Sequence, residues 1–95
     1  MVLGQWGDGH WYPARVAEVK GDKLLVSFYD GDVGTLPANK IKTYDWKVGS
    51  KVQCNWKRKG KYYKGTIATM KVEWIHVKYD DGDKENTGIG RCRVK

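Results

Sequence analysis

Long apolar runs are missing from this sequence. No stretch approaches the roughly 18 consecutive apolar residues of a membrane helix, and none resembles the apolar core of a secretory signal. Helical spacing of apolar residues is confined to about one turn near Pro37–Lys40. Pro is scarce, with two residues, whereas Gly occurs twelve times. These features argue against a helical or membrane-spanning protein and favour short strands joined by tight turns.

Cysteine and histidine are also few. Cys54, Cys92 and two scattered histidines do not form a zinc-binding pattern, so no metal or other cofactor is expected. Both cysteines stand beside apolar residues in strand-like stretches, which favours buried free thiols in a reducing compartment. A disulfide stays open as the alternative, because both could lie in neighbouring strands of one barrel. The expected location is the nucleus in a eukaryote and the cytoplasm otherwise.

Patterns that indicate catalysis are absent as well. Ser27 and Ser50 are the only serines, and neither lies in a nucleophile motif. Gly88-Ile89-Gly90 does not follow a strand and open a helix, as a phosphate-binding loop would require. The sequence therefore predicts a non-catalytic binding protein.

Aromatic and basic residues are abundant by contrast. Five Trp and six Tyr accompany a single Phe, and Trp and Tyr suit half-exposed binding pockets because each combines an apolar face with a polar tip. Residues 1–47 carry six basic and six acidic side chains, whereas residues 48–95 carry twelve and five, so the whole net charge of +7 lies in the second half. A basic half favours an acidic partner such as nucleic acid; a solvated surface is the alternative.

The two halves repeat one another. The stretch 11–16 matches 62–67 at a spacing of 51, and the same spacing carries Phe28 onto Tyr79 and 30–32 onto 81–83. Trp6 matches Trp56 at a spacing of 50, so the loop that follows this residue is one residue longer in the second copy. The sequence predicts two domains, 1–42 and 50–95, joined by a linker, 43–49.

Each copy has the alternation of β-strands. Ile75, Val77 and Tyr79 form an inward row, and the Asp-Gly pairs at 30–31 and 81–82 predict hairpin turns. A bulge is expected before Met70. Four or five short strands in about 45 residues predict an all-β chain of two small closed barrels. Because each core is small, Tyr44 and Trp46 in the linker are expected to pack the barrels together.

These motifs resemble the Tudor and Agenet family of five-stranded SH3-like barrels. The second copy is the better match, through 52–56, 59–65 and 77–82, and the resemblance covers nearly the whole chain. It implies a tandem reader that binds methylated Lys or Arg in an aromatic cage, with a histone tail as a candidate partner. Barrels of this kind also bind nucleic acid or serve as protein scaffolds without a cage ligand, and both stay open as alternatives.

The resemblance also implies the cage residues. The first cage would consist of Trp6, Tyr12, Phe28 and Asp30, and the second of Trp56, Tyr63, Tyr79 and Asp81. Aromatic faces attract a methylated ammonium, and a carboxylate adds attraction. The family often has a further aromatic two residues beyond the acid, where this chain has Asp32 and Asp83. Barrel core is the competing interpretation, above all for Phe28 and Tyr79.

A basic loop adjoins the second set. Its cationic residues, Lys57, Arg58, Lys59, Lys61 and Lys64, are the candidate contacts for DNA or RNA phosphates. The corresponding loop of the first copy contains Asp8 instead, so a cationic peptide is expected to prefer the first copy. No membrane partner is expected, and the chain is expected to be a monomer.

Overall fold

The computed structural model describes all 95 residues. The first barrel is a five-stranded antiparallel sheet in the order β4-β3-β2-β1-β5. Its strands are β1 (Val2–Gln5), β2 (Trp11–Lys20), β3 (Lys23–Phe28), β4 (Val33–Pro37) and β5 (Ile41–Thr43). A single 3-10 turn, Ala38–Lys40, joins β4 to β5, at the position where the sequence predicted one helical turn.

The second barrel repeats this order as β9-β8-β7-β6-β10. Its strands are β6 (Lys51–Asn55), β7 (Tyr62–Met70), β8 (Trp74–Tyr79), β9 (Lys84–Gly88) and β10 (Cys92–Arg93). The 3-10 turns Trp56–Arg58 and Ile89–Arg91 complete it. The prediction of an all-β chain with two five-stranded barrels is confirmed. The barrels were expected to be closed. This is corrected for backbone hydrogen bonding, because the outer strands of each sheet do not pair with one another.

The internal repeat extends to the register of the strands. Ala14 lies opposite Phe28 as Gly65 lies opposite Tyr79. Each second strand has a register shift at the same place, between Val16 and Glu18 and between Ile67 and Thr69, so the bulge expected before Met70 is present. The strongly right-handed twist at a bulge helps a small sheet curl over its own core.

Both Asp-Gly turns have the predicted form. Gly31 and Gly82 have φ angles of 100° and 98°, which a side chain disfavours. The carboxylates of Asp30 and Asp81 each accept a hydrogen bond, at 3.0 Å, from the backbone N–H two residues later. The two acids therefore have a structural role in the turn itself.

The hydrophobic core is shared unequally between the barrels. The smaller cluster consists of Tyr12, Ala14, Val26 and Phe28. The larger one contains the core of the second barrel together with Leu3 from β1 and Trp46 from the linker. Trp46 therefore packs the linker onto the cluster that also contains Leu3 of the first barrel. Val16 alternates with buried Ala14 along β2 and would face inward, but it is 42% exposed. Its counterpart Ile67 is buried in the cluster that contains Trp46 of the linker, and its backbone pairs with Gly49 and Ser50.

Contacts between the barrels are both apolar and polar. Trp11 and Val94 exchange two backbone hydrogen bonds of 2.7 and 3.0 Å. Gly90 lies directly against the backbone of Tyr29, since a Cβ placed on it would come within 2.4 Å of the Tyr29 carbonyl. These contacts couple the two barrels into a molecule of 45 × 23 × 19 Å.

Cys54 and Cys92 form a disulfide. They lie directly opposite each other on β6 and β10, with 4.1 Å between their Cα atoms. Free buried thiols were the favoured expectation, and the disulfide is a correction. Both side chains are fully buried, so the expected burial holds although the expected chemical state does not.

Candidate functional site

The first aromatic set comes together only in part. Trp6 stacks on Phe28, with 4.8 Å between ring centroids and an interplanar angle of 24°. Phe28 is 2% exposed and Tyr12 is 7% exposed, which makes them the floor of the barrel end. Trp6, directly after β1, is half-buried and its ring lies against Phe28. Trp6 and Phe28 therefore form a closed stack, and the half-exposed pocket that the aromatic residues predicted is not present in this arrangement.

Tyr12 is held by polar contacts that the sequence did not indicate. Its hydroxyl donates to the Asp8 carboxylate at 2.6 Å and accepts from an Arg93 guanidinium N–H at 3.1 Å. Burial and then the bond to Asp8 raise the pKa of Tyr12 to about 12. The pKa of Asp8 is lowered: burial opposes this, but the Tyr12 hydroxyl, the His10 N–H and the charges of His10 and Arg93 outweigh it. Asp8 is therefore an anion at the mouth of the first barrel at neutral pH.

The second aromatic set has a different geometry. Trp56 and Tyr63 are perpendicular, at 87°, with centroids 6.2 Å apart, and Tyr63 is exposed. Tyr79 is buried and donates a 2.6 Å hydrogen bond to Glu85. Burial, followed by the bond to Glu85, raises the pKa of Tyr79 far above its ordinary range. This hydroxyl is therefore a fixed neutral donor.

The sequence missed Glu85 as a member of this set. Its carboxylate contacts both Tyr79 and, at 3.4 Å, the backbone N–H of Lys57, whereas Asp81 is bound within its own turn. In the first copy, the spacing of 51 puts Gly34 at this place, where a Cβ would lie 3.8 Å from the Trp6 ring. The repeat alignment could have revealed this difference between the copies, because it pairs Glu85 with Gly34, which has no side chain.

The basic loop folds back onto its own aromatic ring. The Lys57 and Lys59 ammonium groups lie 4.8 and 5.4 Å from the centroid of Trp56. Lys57 and Arg58 both have positive φ, at 51° and 59°, a backbone region that is uncommon for residues with a side chain. Two of the predicted phosphate contacts are thus in cation–π contact with the second set, while phosphate binding by the loop stays a prediction.

Three surface cavities are present, and none is lined by a predicted cage residue. Two of them share Lys51 and Val94 near the junction of the barrels. The third, of about 320 Å³, lies beside Trp74 at the far end of the second sheet. No cluster of metal-ligating side chains occurs. None of the helical segments has the length and apolar character to cross a membrane.

Neither a protein-family model nor a curated protein matches this sequence. Solved structures do match. The crystal structure of Crb2 tandem Tudor domains superposes with a TM-score of 0.63 at 20% identity, over 99% of this chain and 76% of that one. The tandem Agenet domain 3-4 of ADCP1 and the AGD34 region of Arabidopsis thaliana AGDP1 each give a TM-score of 0.47 at 20% identity, over 99% of this chain and 76% and 78% of theirs. With its two five-stranded barrels in sequence, this chain has the fold of a tandem Tudor domain.

Proposed function

We propose that the chain is a non-catalytic reader of a peptide bearing methylated Lys or Arg, and that the first barrel binds it. A histone tail is the candidate source of the peptide. The observation that carries the proposal is the mouth of the first barrel, where Trp6 stacks on Phe28 and the Tyr12 hydroxyl bonds to Asp8. The turn that follows Phe28 adds two more acids, Asp30 and Asp32. No basic residue lies in its loop or its turn (6–10 and 28–34) apart from His10.

The ligand enters by displacing Trp6 from Phe28. Opening this aromatic pair costs roughly 0.5–1.5 kcal/mol. Each contact of the methylated ammonium with a ring face returns roughly 0.5–2 kcal/mol. The Asp8 carboxylate adds charge attraction, which Arg93, 3.6 Å from the same carboxylate, partly offsets. Gly34 leaves the space beside both rings free of a side chain. The free energy needed to separate the two rings is therefore smaller than the free energy gained when both rings and a carboxylate contact the cation.

The second barrel is at a disadvantage because its own cations occupy it. Lys57 and Lys59 already make the cation–π contacts with Trp56 that a ligand would need. A cationic peptide would also meet the basic loop, whose charge exceeds that of Glu85. Charge and internal competition therefore favour the first barrel.

A matched pair of substitutions tests the assignment. Trp6→Ala and Trp56→Ala remove equivalent rings from the two copies, and binding of methylated and unmethylated peptides would be measured by calorimetry. We expect Trp6→Ala to abolish the preference for the methylated form and Trp56→Ala to leave it nearly unchanged. Thermal melting of each variant provides the control for folding.

A second arm tests the internal competition. In the Trp6→Ala background, Lys57→Ala with Lys59→Ala should uncover Trp56, and the second barrel should then gain affinity of about 5- to 30-fold, from two exposed cation–π contacts. Loss of binding in Trp56→Ala, with Trp6→Ala unaffected, would move the site to the second barrel. If neither substitution changes binding, the cage assignment fails in both copies.

A further inference from the structure

We propose that the outer face of the second sheet binds single-stranded nucleic acid, with a base stacked on Trp74 and phosphates along a row of lysines. This surface includes neither loop residues 57–61 nor either aromatic set, and Lys64 of β7 lies on the same face as Thr66. The proposal does not depend on peptide reading by the first barrel.

The strand register defines the lysine row. Lys51 lies opposite Thr66, Thr66 opposite Lys78, and Lys78 opposite Lys84. Directly opposed residues of antiparallel strands project from the same face, and here it is the outer one, because Ile67 and Val77 next to them face the core. Three strand spacings give the row a length of about 14 Å. That exceeds the separation of neighbouring phosphates along one strand.

The charges in this row are not neutralised. No carboxylate lies within ion-pair distance of Lys51, Lys78 or Lys84. Lys78 and Lys84 are opposed like charges, an arrangement that destabilises a sheet. The similar pair in the first barrel, Lys20 opposite Lys23, has Glu18 at 4.0 Å from Lys20. An anionic ligand would relieve the repulsion between Lys78 and Lys84. This surface is therefore complementary in charge to a chain of phosphates.

Trp74 supplies a stacking surface on the same face. It is 55% exposed, whereas the other four tryptophans are buried or half-buried. Its partner across the strands is Gly88, which places no side chain beside the indole. The adjoining cavity of about 320 Å³ is lined by Thr69, Lys71, His76 and Asn86 as well as Trp74. A flat ring beside hydrogen-bonding groups and a lysine can hold an unpaired base.

The first barrel lacks the equivalent surface, so the fold alone does not impose it. At the repeat spacing, Trp74 corresponds to Lys23, Lys78 to Ser27 and Lys84 to Val33. A single strand is favoured over a duplex because bases paired inside a duplex offer Trp74 no free face. Lysines that share one face with an aromatic platform are the combination that binds single strands without sequence preference.

The test uses the full chain and a fluorescent DNA oligonucleotide of mixed sequence, about 12 nucleotides long. Anisotropy at several salt concentrations gives the affinity and its salt dependence. Lys78→Glu with Lys84→Glu should weaken binding at least about tenfold and reduce the log–log salt slope by about 1.4, since each phosphate that is no longer neutralised accounts for about 0.7. The matched control, Lys20→Glu with Lys23→Glu, makes the same charge change in the first barrel and should have a much smaller effect.

The stacking contact has its own variants. Trp74→Ala should weaken binding roughly 5- to 150-fold, and Trp74→Phe should recover most of that loss. If the variant with Lys78→Glu and Lys84→Glu does not fold, Lys78→Gln with Lys84→Gln removes the same two charges and takes its place. Binding of the methylated peptide should be unchanged in all these variants, which separates this surface from the first-barrel site.

Several results would overturn the proposal. These are an absence of binding at low salt, equal losses in the two charge-reversed pairs, no effect of Trp74→Ala, and binding of the matching duplex as tight as that of the single strand. Loss of binding in Lys59→Glu with Lys61→Glu, when the sheet variants bind normally, would place the nucleic acid on the basic loop instead.

Discussion

Tyr12 links residues from three parts of the molecule. Its ring lies in the core of the first barrel, and its hydroxyl meets Asp8 from the neighbouring loop and Arg93 from β10 of the other barrel. Arg93 in turn stacks on Tyr62 at 3.8 Å. Tyr12, which the family resemblance implies only as a cage wall, therefore also joins the barrels.

The raised pKa of Tyr12 predicts a loss of stability in base. Below pH 10 the phenol is protonated in both the folded and the unfolded chain. As the pH rises from 10 towards 12, the unfolded chain loses the proton first, so the free energy of unfolding falls by about 2–3 kcal/mol. Chemical denaturation across this range should show a shallower decline for Tyr12→Phe than for the unmodified chain. Identical declines would contradict a role for this phenol.

The close contact between Gly90 and Tyr29 leads to a second prediction about a single residue. A Cβ at this position would overlap the backbone of Tyr29, which cannot move away as a flexible side chain could. Gly90→Ala should therefore lower the free energy of unfolding by about 1–3 kcal/mol. Gly88→Ala is the matched control, since its nearest neighbour lies 3.9 Å away. Equal denaturation midpoints for the two variants would show that the contact between the barrels is looser than described.

At the scale of elements, β10 is the shortest strand and the disulfide anchors it. It has two residues, pairs only with β6, and carries both Cys92 and the bridging Arg93. The bond closes a loop between residues 38 positions apart. In a reducing compartment the same two positions would be buried thiols, as the sequence first suggested.

Opening the disulfide should therefore weaken both β10 and the contact between the barrels. Closure of a loop of this length stabilises a fold by roughly 2–4 kcal/mol, and we expect a reductant to lower the free energy of unfolding by that amount. Denaturant titration with and without reductant measures it. Cys54→Ala with Cys92→Ala is the control, because its stability should not respond to the reductant. An unmodified chain that is equally insensitive would argue against the bond.

At the scale of the whole molecule, the second barrel depends on residues outside its own sheet. Leu3 and Trp46 belong to its core cluster, and Trp11, Tyr29 and Tyr44 pack against that cluster. The division into domains 1–42 and 50–95 stays a prediction, because the repeat marks sequence units whereas the core crosses between them.

A fragment containing only residues 50–95 tests this dependence. We expect it to be markedly less stable than the whole chain, since removing Leu3 and Trp46 uncovers apolar core, and a buried Leu alone contributes about 1.5–3 kcal/mol. Thermal melting by circular dichroism and the dispersion of amide signals by nuclear magnetic resonance would measure it. If the fragment has the same melting temperature as the second barrel in the full chain, the barrels are independent.

Local patterns predicted the elements well. Alternation placed Ile75, Val77 and Tyr79 in the core, and the Asp-Gly pairs placed both hairpin turns, because strand period and turn chemistry are properties of neighbouring residues. Val16 shows the limit of such patterns. Its exposure depends on what packs against it: Ile67 lies in the core cluster that contains Trp46 of the linker, whereas Val16 belongs to neither core cluster.

The sequence by itself determined the repeated all-β fold, its turns, the bulge before Met70 and the concentration of charge in the second half. Only the tertiary structure decided that Trp6 stacks on Phe28, that Lys57 and Lys59 cover Trp56, and that Glu85 is the acid beside Tyr79. It also decided that Cys54 and Cys92 bond, and that Lys51, Lys78 and Lys84 share one row. The physical reason is that ring stacking, disulfide pairing and charge alignment depend on distances between strands, whereas strand period and turn chemistry are encoded within a few neighbouring residues.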